Sequence, residues 1–161
     1  MAVALQFISR YRNKIDRKGR VSVPATFRAA LSGGGSNLPP IICYPSHQHA
    51  CIEGMAHSEL ERMIADAEGK PKFSRERRML EGMFSRMSEL PFDSEGRVML
   101  PENLTRHAGI TDIAMFVGCG STFQIWEPER FNLRDAELDA ELAEMTRREQ
   151  AMAASNPGTA P

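Results

Sequence analysis

A nine-residue motif occurs twice in this chain of 161 residues, and the repeat constrains the fold more than any other feature of the sequence. The segment from Asp16 to Pro24 reads DRKGRVSVP, and the segment from Asp93 to Pro101 reads DSEGRVMLP. Aspartate, glycine, arginine, valine and proline hold the same places in both, at a constant offset of 77 positions. Self-similarity of this kind indicates two copies of one structural unit. The chain is long enough for one core of ordinary size, which two very small modules could share.

Each copy of the motif predicts a strand, a tight turn, a second strand and a short helix. Alternating polar and apolar residues before the aspartate favour a strand. The spacing Asp-x-x-Gly predicts a turn, because aspartate can accept hydrogen bonds from the following backbone and glycine adopts positive φ. The proline stands where a missing N–H costs least, in the first turn of a helix. The residues with these structural roles are Asp16, Gly19 and Pro24 in the first copy and Asp93, Gly96 and Pro101 in the second.

The remainder of the chain predicts an α+β fold that is rich in β-structure. Further hairpin strands are expected at 37–44, 50–53, 114–118 and 122–126, and helices at 58–68, 74–87 and 135–154. We interpret the methionine and aromatic stripes of the two middle helices as core. The expected segments are a first module at 8–55, linker helices at 56–88, a second module at 89–132, and a C-terminal helix with a disordered tail at 133–161.

Charge is unevenly distributed along the chain. The net charge of −1 alone argues against a nucleic-acid partner, because such binding depends on Lys and Arg. However, residues 1–31 carry seven basic side chains against one acidic one, and residues 70–87 carry six against two. Acidic side chains dominate residues 127–150, with eight against four arginines. This segregation favours a basic face on a chain that acidic helices keep soluble, although residues 70–87 could equally form a solvated, salt-bridged helix.

The two motifs, their separation and the segments after them resemble the MraZ family, the two-copy members of the SpoVT-AbrB group of bacterial DNA-binding proteins. The resemblance covers about residues 7–131. Its motifs are Asp-x-Lys-Gly-Arg-x-x-x-Pro-x-x-Phe-Arg ending at Arg28, the second Asp-x-x-Gly-Arg-x-x-x-Pro followed by residues 104–110, and Phe-Gln-Ile-Trp at 123–126. It implies two tandem swapped-hairpin modules that form one pseudo-dimeric β-barrel. It also implies ring oligomers on the nucleoid that bind short G-rich direct repeats and repress the division and cell-wall gene cluster, including their own promoter.

The resemblance also assigns DNA binding to the arginine of each Asp-x-x-Gly-Arg motif, here Arg20 and Arg97. An arginine beside a tight turn can offer its planar fork to guanine O6 and N7. We expect Lys18, Arg17, Arg12 and Lys14 to contact phosphate and set the register on double-stranded DNA. Three positions depart from the family pattern: Arg17 adds a charge, Glu95 places an acid before the second glycine, and Gly54 stands where an aromatic residue is usual. A carboxylate at position 95 would repel phosphate.

A metal site is the strongest competing interpretation, at Cys43, His47, His49 and Cys51, where thiolates and imidazoles could hold zinc. The spacing argues against it, because the pairs Cys-x₂₋₄-Cys and His-x₃₋₅-His are absent and Pro45 interrupts the segment. We therefore expect no metal and no cofactor.

An enzyme and an antitoxin are two further functions that a chain of this kind could have. No pattern pairs Cys119 with a base, so a nucleophilic enzyme is not indicated and no small-molecule substrate is expected. An antitoxin module would share the fold, but antitoxins usually carry one copy and a disordered tail. No apolar run approaches the roughly 18 residues of a membrane span, and the first ten residues lack a signal-peptide pattern, so we expect a cytoplasmic protein. Three cysteines without CxxC fit a reducing compartment.

Overall fold

A computed structural model describes residues 6–156 and residue 158. Pairs of strands are separated by one or two helices along the first part of the chain, and a long helix follows the last pair. The strands are β1 (Arg10–Lys14), β2 (Arg20–Ser22), β3 (Ile41–Pro45), β4 (Ile52–Ala56), β5 (Ser88–Leu90), β6 (Arg97–Met99), β7 (Ile113–Gly118) and β8 (Phe123–Trp126). The helices are α1 (Ala25–Ser32), α2 (His57–Glu68), α3 (Arg75–Phe84), α4 (Glu102–Ala108) and α5 (Pro128–Ala154). The predicted α+β class is confirmed.

The strand order is symmetric with respect to the two copies of the motif. Six strands form one antiparallel sheet in the order β1-β7-β8-β4-β3-β5, and β2 pairs with β6 in a second sheet. The corresponding strands of the two copies are β1 and β5, β3 and β7, and β4 and β8. If each strand is replaced by its counterpart, the same order is obtained, read from the opposite edge of the sheet. Each outer strand therefore pairs with a strand that follows the other copy, as in the registers Tyr11 with Phe116 and Leu90 with Ile41.

The predicted closed barrel is not seen among the described strands. They form an open six-stranded sheet and a two-stranded ribbon, and a single bridge between Ile15 and Val21 connects β1 to β2 across the first turn. The physical reason is the shortness of β2 and β6. Each has three residues, and the two strands pair with one another, with Val21 opposite Val98 at the centre.

The two short helices begin and end alike. Pro24 and Pro101 are N-cap residues with extended backbone, at φ −51° and ψ 140° and at φ −59° and ψ 144°. They thus stand one position before the helix and not in its first turn as predicted, because their ψ values are not helical. At the other ends, Gly33 and Gly109 adopt the left-handed conformation, with φ of 59° and 67°. That conformation favours glycine and stops the helix.

The main core contains residues from both copies. Four phenylalanine rings at its centre are almost fully buried: Phe7, Phe27, Phe116 and Phe123. They contact one another in edge-to-face or tilted arrangements, with ring centroids 5.0–6.4 Å apart. The core also contains aliphatic side chains that lie in β2, β6, α1 and α4 or directly after the two strands: Val21, Val23, Leu31, Val98, Leu100 and Leu104. Because β2 and β6 pack into this core, the turns at their ends are held on a rigid base.

The helical hairpin of α2 and α3 covers a second, smaller cluster. Ile42, Tyr44 and Met55 are buried there, and the partly buried side chains against them are Leu60, Met63, Met83 and Met87. The interpretation of the helical stripes as core is therefore only partly right. No residue of α3 is buried, and Met79 is 63% exposed. The hairpin is a single layer, so only one side of it meets the sheet.

The chain divides into two compact units, Met1–Pro128 and Glu129–Pro161. The second contains nearly all of α5, which begins seven residues earlier than predicted. Three apolar side chains are exposed along this helix: Leu138, Leu142 and Met145. The Nη1 group of Arg134 donates a hydrogen bond to Glu141 Oε1 at 3.1 Å. Of the predicted disordered tail, residues 157 and 159–161 lie outside the described residues. None of the helices in the described part of the chain combines the length and the apolar character that crossing a bilayer requires.

Candidate nucleic-acid interface

The first turn is organised around the carboxylate of Asp16. Its Oδ1 accepts the backbone N–H groups of Lys18 and Arg20, both at 2.9 Å, and its Oδ2 accepts Arg20 Nε at 2.7 Å. The Gly19 N–H donates to the Asp16 carbonyl at 3.0 Å, and Gly19 has φ of 83°. The aspartate therefore fixes both the turn and the direction of the arginine side chain, while glycine supplies the left-handed backbone.

The second turn repeats the first bond for bond. Asp93 Oδ1 accepts the N–H groups of Glu95 and Arg97 at 2.9 Å, and Oδ2 accepts Arg97 Nε at 2.9 Å. Gly96 has φ of 76°. In both turns the aspartate accepts N–H groups of the following backbone, and the glycine has positive φ.

Two symmetric backbone bonds join the turns. The N–H of Leu100 donates to the Gly19 carbonyl at 2.9 Å, and the N–H of Val23 donates to the Gly96 carbonyl at 3.2 Å. Together with the β2–β6 ladder, these bonds bring two turns that are far apart in the sequence onto one ribbon. Arg20 and Arg97 thereby become neighbours.

These hydrogen bonds lower the pKa of both turn aspartates. For Asp16 the main cause is the backbone N–H of Arg20, with the Arg20 side chain adding to it, and for Asp93 the main cause is the backbone N–H of Arg97. Conversely, the hydrogen bond to Asp93 raises the pKa of Arg97, and the charges of Asp93, Glu95 and Asp16 reinforce that shift. The turns are therefore held by ionised groups at neutral pH.

The two arginines differ in the number of carboxylates around them. Within the described residues, Arg20 pairs with Asp16 alone, whereas Arg97 pairs with Asp93, with Glu95 at 3.2 Å and with Asp16 at 3.9 Å. The side chains are 31% and 25% exposed, respectively. A polyanion can therefore reach the Arg20 guanidinium with less competition from neighbouring carboxylates.

The predicted phosphate contacts fall into two groups. Arg17 and Lys18 are exposed at the tip of the first turn, beside Arg20. Arg12 and Lys14 are also exposed, but they lie on β1, an edge strand of the six-stranded sheet. They alternate with side chains that face the ribbon, such as Asn13, whose Nδ2 donates to the Ser22 carbonyl at 2.7 Å. Charged residues on an edge strand also protect it from pairing with another chain.

Sequence reasoning missed one basic residue beside the second turn. Arg28, on α1, extends across to Gly96, so that a Cβ at position 96 would overlap its guanidinium. Its Nε is buried without a hydrogen-bond partner among the described residues. The only sequence signal was its place at the end of the first motif, and at the matching position of the second copy stands Thr105. A first-copy residue therefore covers the second-copy turn.

The candidate metal ligands do not form a site. Cys43 and Cys51 are buried, and desolvation raises the pKa of each thiol to about 12. The His49 ring packs against the Trp126 ring, with their centroids 5.7 Å apart. Throughout residues 6–156, no group of three or more His, Cys, Asp and Glu side chains is placed to hold an ion. Partial desolvation also raises the pKa of Cys119, although this residue is exposed.

Comparison with known proteins identifies the family. Residues 83–153 match a family model described as "MraZ protein, putative antitoxin-like". The chain is 45% identical over 126 residues to a protein of Pelagibacter ubique named transcriptional regulator MraZ, covering 78% of this chain and 80% of that one. It is 45% identical to a protein of the same name from Rickettsia canadensis and 44% identical to one from Rickettsia peacockii, each over 78% of this chain and 83% of the relative. These relatives are named as bacterial transcriptional regulators, and the chain belongs to the MraZ family.

Proposed function

We propose that this chain is a sequence-specific DNA-binding transcription regulator that uses the Asp16–Arg20 turn to read guanine. The observation that carries the proposal is the arrangement of Arg20. Its side chain stands at a rigid turn, one carboxylate orients it, and exposed cations lie beside it. The names of the relatives, which are those of transcriptional regulators, support DNA as the partner.

Base reading is the role that suits Arg20. Asp16 accepts the Nε–H of Arg20, so the Nη1 and Nη2 groups remain to donate to O6 and N7 of a guanine in the major groove. A planar fork whose orientation is already fixed loses less conformational entropy on binding. The preference for G-rich sites that the family resemblance implies suits this geometry.

Phosphate binding is the role that suits the neighbouring cations. Lys18 and Arg17 flank the reading arginine, and Arg12 and Lys14 continue the positive charge along β1. Contacts of this kind set the register of the protein on DNA and carry no sequence information. They make the affinity fall steeply with salt.

Assembly completes the proposal. The symmetric strand order supports two tandem swapped-hairpin modules that act together as a pseudo-dimer. One chain offers few base contacts, so we propose a ring oligomer whose subunits engage direct repeats, each later contact being raised by effective concentration. Repeats about one helical turn apart would present the same groove to successive subunits.

The biological setting follows from the family resemblance. The regulator would act in the cytoplasm on the nucleoid, bind upstream of the division and cell-wall gene cluster, and repress that promoter together with its own gene. It would need no cofactor. The residues that this proposal assigns to DNA are Arg20, Lys18, Arg17, Arg12 and Lys14.

The test is binding of the purified protein to a fragment that carries the promoter upstream of its own gene, against a scrambled fragment of equal length, across a salt series. We expect a preference for the promoter that Arg20→Ala abolishes while Arg106→Ala, an exposed arginine on α4, leaves it intact. Equal binding of both fragments would reduce the proposal to a basic surface.

A second candidate is an antitoxin-like module, which the description of the matching family model favours. In that case a small protein partner would co-purify with the chain from its native host. Failure of the chain to bind either fragment, together with such a partner, would replace the DNA proposal with this one.

A further inference from the structure

We infer that the second turn does not read DNA but positions the first: Arg97 steadies Asp16, and Asp16 holds Arg20. Each chain then presents one base-reading arginine, although it carries two copies of the motif. The inference rests on the proposed function of Arg20 and assigns a different role to its counterpart.

All three guanidinium nitrogens of Arg97 face carboxylates. Nε lies 2.9 Å from Asp93 Oδ2, Nη2 lies 3.2 Å from Glu95 Oε2, and Nη1 lies 3.9 Å from Asp16 Oδ2. A guanine that accepted two parallel hydrogen bonds from Arg97 would therefore compete with nearby carboxylates for the Nη groups. Arg20 faces no such competition at its Nη groups within the described residues.

Arg97 reaches the group that orients the reading arginine. Asp16 Oδ2 lies 2.7 Å from Arg20 Nε and 3.9 Å from Arg97 Nη1, so one oxygen is shared between the two side chains. The reciprocal contact, from Arg20 to Asp93, does not occur within 4 Å. The two turns are therefore not equivalent, because Arg97 of the second turn contacts Asp16 of the first while Arg20 does not contact Asp93.

The charges at the two turn tips differ in the same sense. Residues 16–20 contain three basic side chains and one acidic, whereas residues 93–97 contain one basic and two acidic. Glu95 occupies the place of Lys18, and its carboxylate is 69% exposed. A phosphate backbone that approached the second turn would meet an exposed negative charge at the point where the first turn offers a positive one.

The test compares matched substitutions in the full-length protein. Lysine keeps the charge of arginine but loses the planar fork. We expect Arg20→Lys to reduce the preference for promoter over scrambled DNA by about tenfold or more, and Arg97→Lys to leave it within about twofold. Equal losses in the two variants would overturn the inference while leaving the proposed function intact. No loss in Arg20→Lys would instead contradict the proposed function itself.

Arg97→Met separates positioning from simple stabilisation. It removes the charge near Asp16, so we expect the promoter preference to fall severalfold and Arg97→Lys to restore it, with the binding of scrambled DNA unchanged. A loss on both fragments in proportion to lost folded protein would show a merely structural role and overturn the inference.

A footprint of the wild-type complex covers the case in which the Arg97 variants do not fold. Dimethyl sulfate methylates guanine N7, which a reading arginine shields. We expect one strongly protected guanine for each bound chain. Two protected guanines for each chain would overturn the inference.

Discussion

Asp16 binds Arg20 at two points, through the backbone N–H at 2.9 Å and through Nε at 2.7 Å. One carboxylate thus closes the turn and orients the side chain that leaves it. A recognition group held in this way is preorganised, and the ionised form of Asp16 is required for it. This dependence makes pH a direct probe of the turns.

Acid should weaken the folded state through the two turn aspartates. Their pKa values are lowered in the folded chain, so their stabilising contribution is complete above the ordinary carboxyl range and is lost as the pH falls through the folded pKa. We expect the melting temperature to decline below about pH 4, and to decline less in the Asp16→Asn/Asp93→Asn double variant. Thermal unfolding of both proteins between about pH 2 and pH 7 measures this. If the melting temperatures of the wild type and the double variant had the same dependence on pH, the prediction would be contradicted.

Lys18→Ala should weaken binding to every DNA sequence to a similar extent. Lys18 is exposed at the turn tip, so loss of one phosphate contact should reduce the slope of log affinity against log salt by about 0.9. Lys72→Ala, an exposed lysine between α2 and α3, is the control and should leave the slope unchanged. A loss confined to one base position would contradict the phosphate assignment.

Gly54→Ala should destabilise the chain because the ring of Phe123 fills the space above Gly54. A Cβ there would overlap that ring, which is fully buried. We expect a loss of about 1–3 kcal/mol in the free energy of unfolding, as for other overpacked cores. Gly82→Ala on α3 has open space around it and should be neutral or stabilising by up to about 1 kcal/mol. Denaturant titrations compare the two, and equal effects would show that Phe123 can move aside.

Arg28→Met should be tolerated better than Arg28→Ala. Methionine keeps an unbranched stem above Gly96 and removes the buried N–H that has no partner among the described residues. An unsatisfied buried group costs about 1–3 kcal/mol, so its removal offsets part of the lost packing. The free energies of unfolding of both variants measure this. If Arg28→Met proved the less stable variant, the side-chain stem above Gly96 would not stabilise the second turn.

The local features of the fold could be predicted because they depend on residues within one motif. Asp16 and Gly19 specify their turn through bonds to residues two to four positions away. The same reasoning failed for α3, whose stripe pattern indicates an apolar face but not how much of it is covered. Met79 is exposed because no second layer of the described residues covers the hairpin on that side.

The relation between the two copies could not be read from either motif alone. The contact of Arg97 with Asp16, and the position of Arg28 above Gly96, arise only when β2 pairs with β6. Both contacts break the symmetry that the repeat suggests. The sequence contained signs of this difference, such as Glu95 at the place of Lys18 and Thr105 at the place of Arg28, but not its geometric consequence.

The most direct test of the account replaces each guanine of the bound promoter repeat, one at a time, with 7-deazaguanine, which lacks the N7 acceptor. In wild-type protein we expect one substitution in each repeat to lower affinity by about 1–3 kcal/mol, and in Arg20→Ala the same substitution to have no further effect. Such non-additivity would place Arg20 on that base. Full additivity of the two changes at every guanine would contradict the claim that Arg20 reads the DNA.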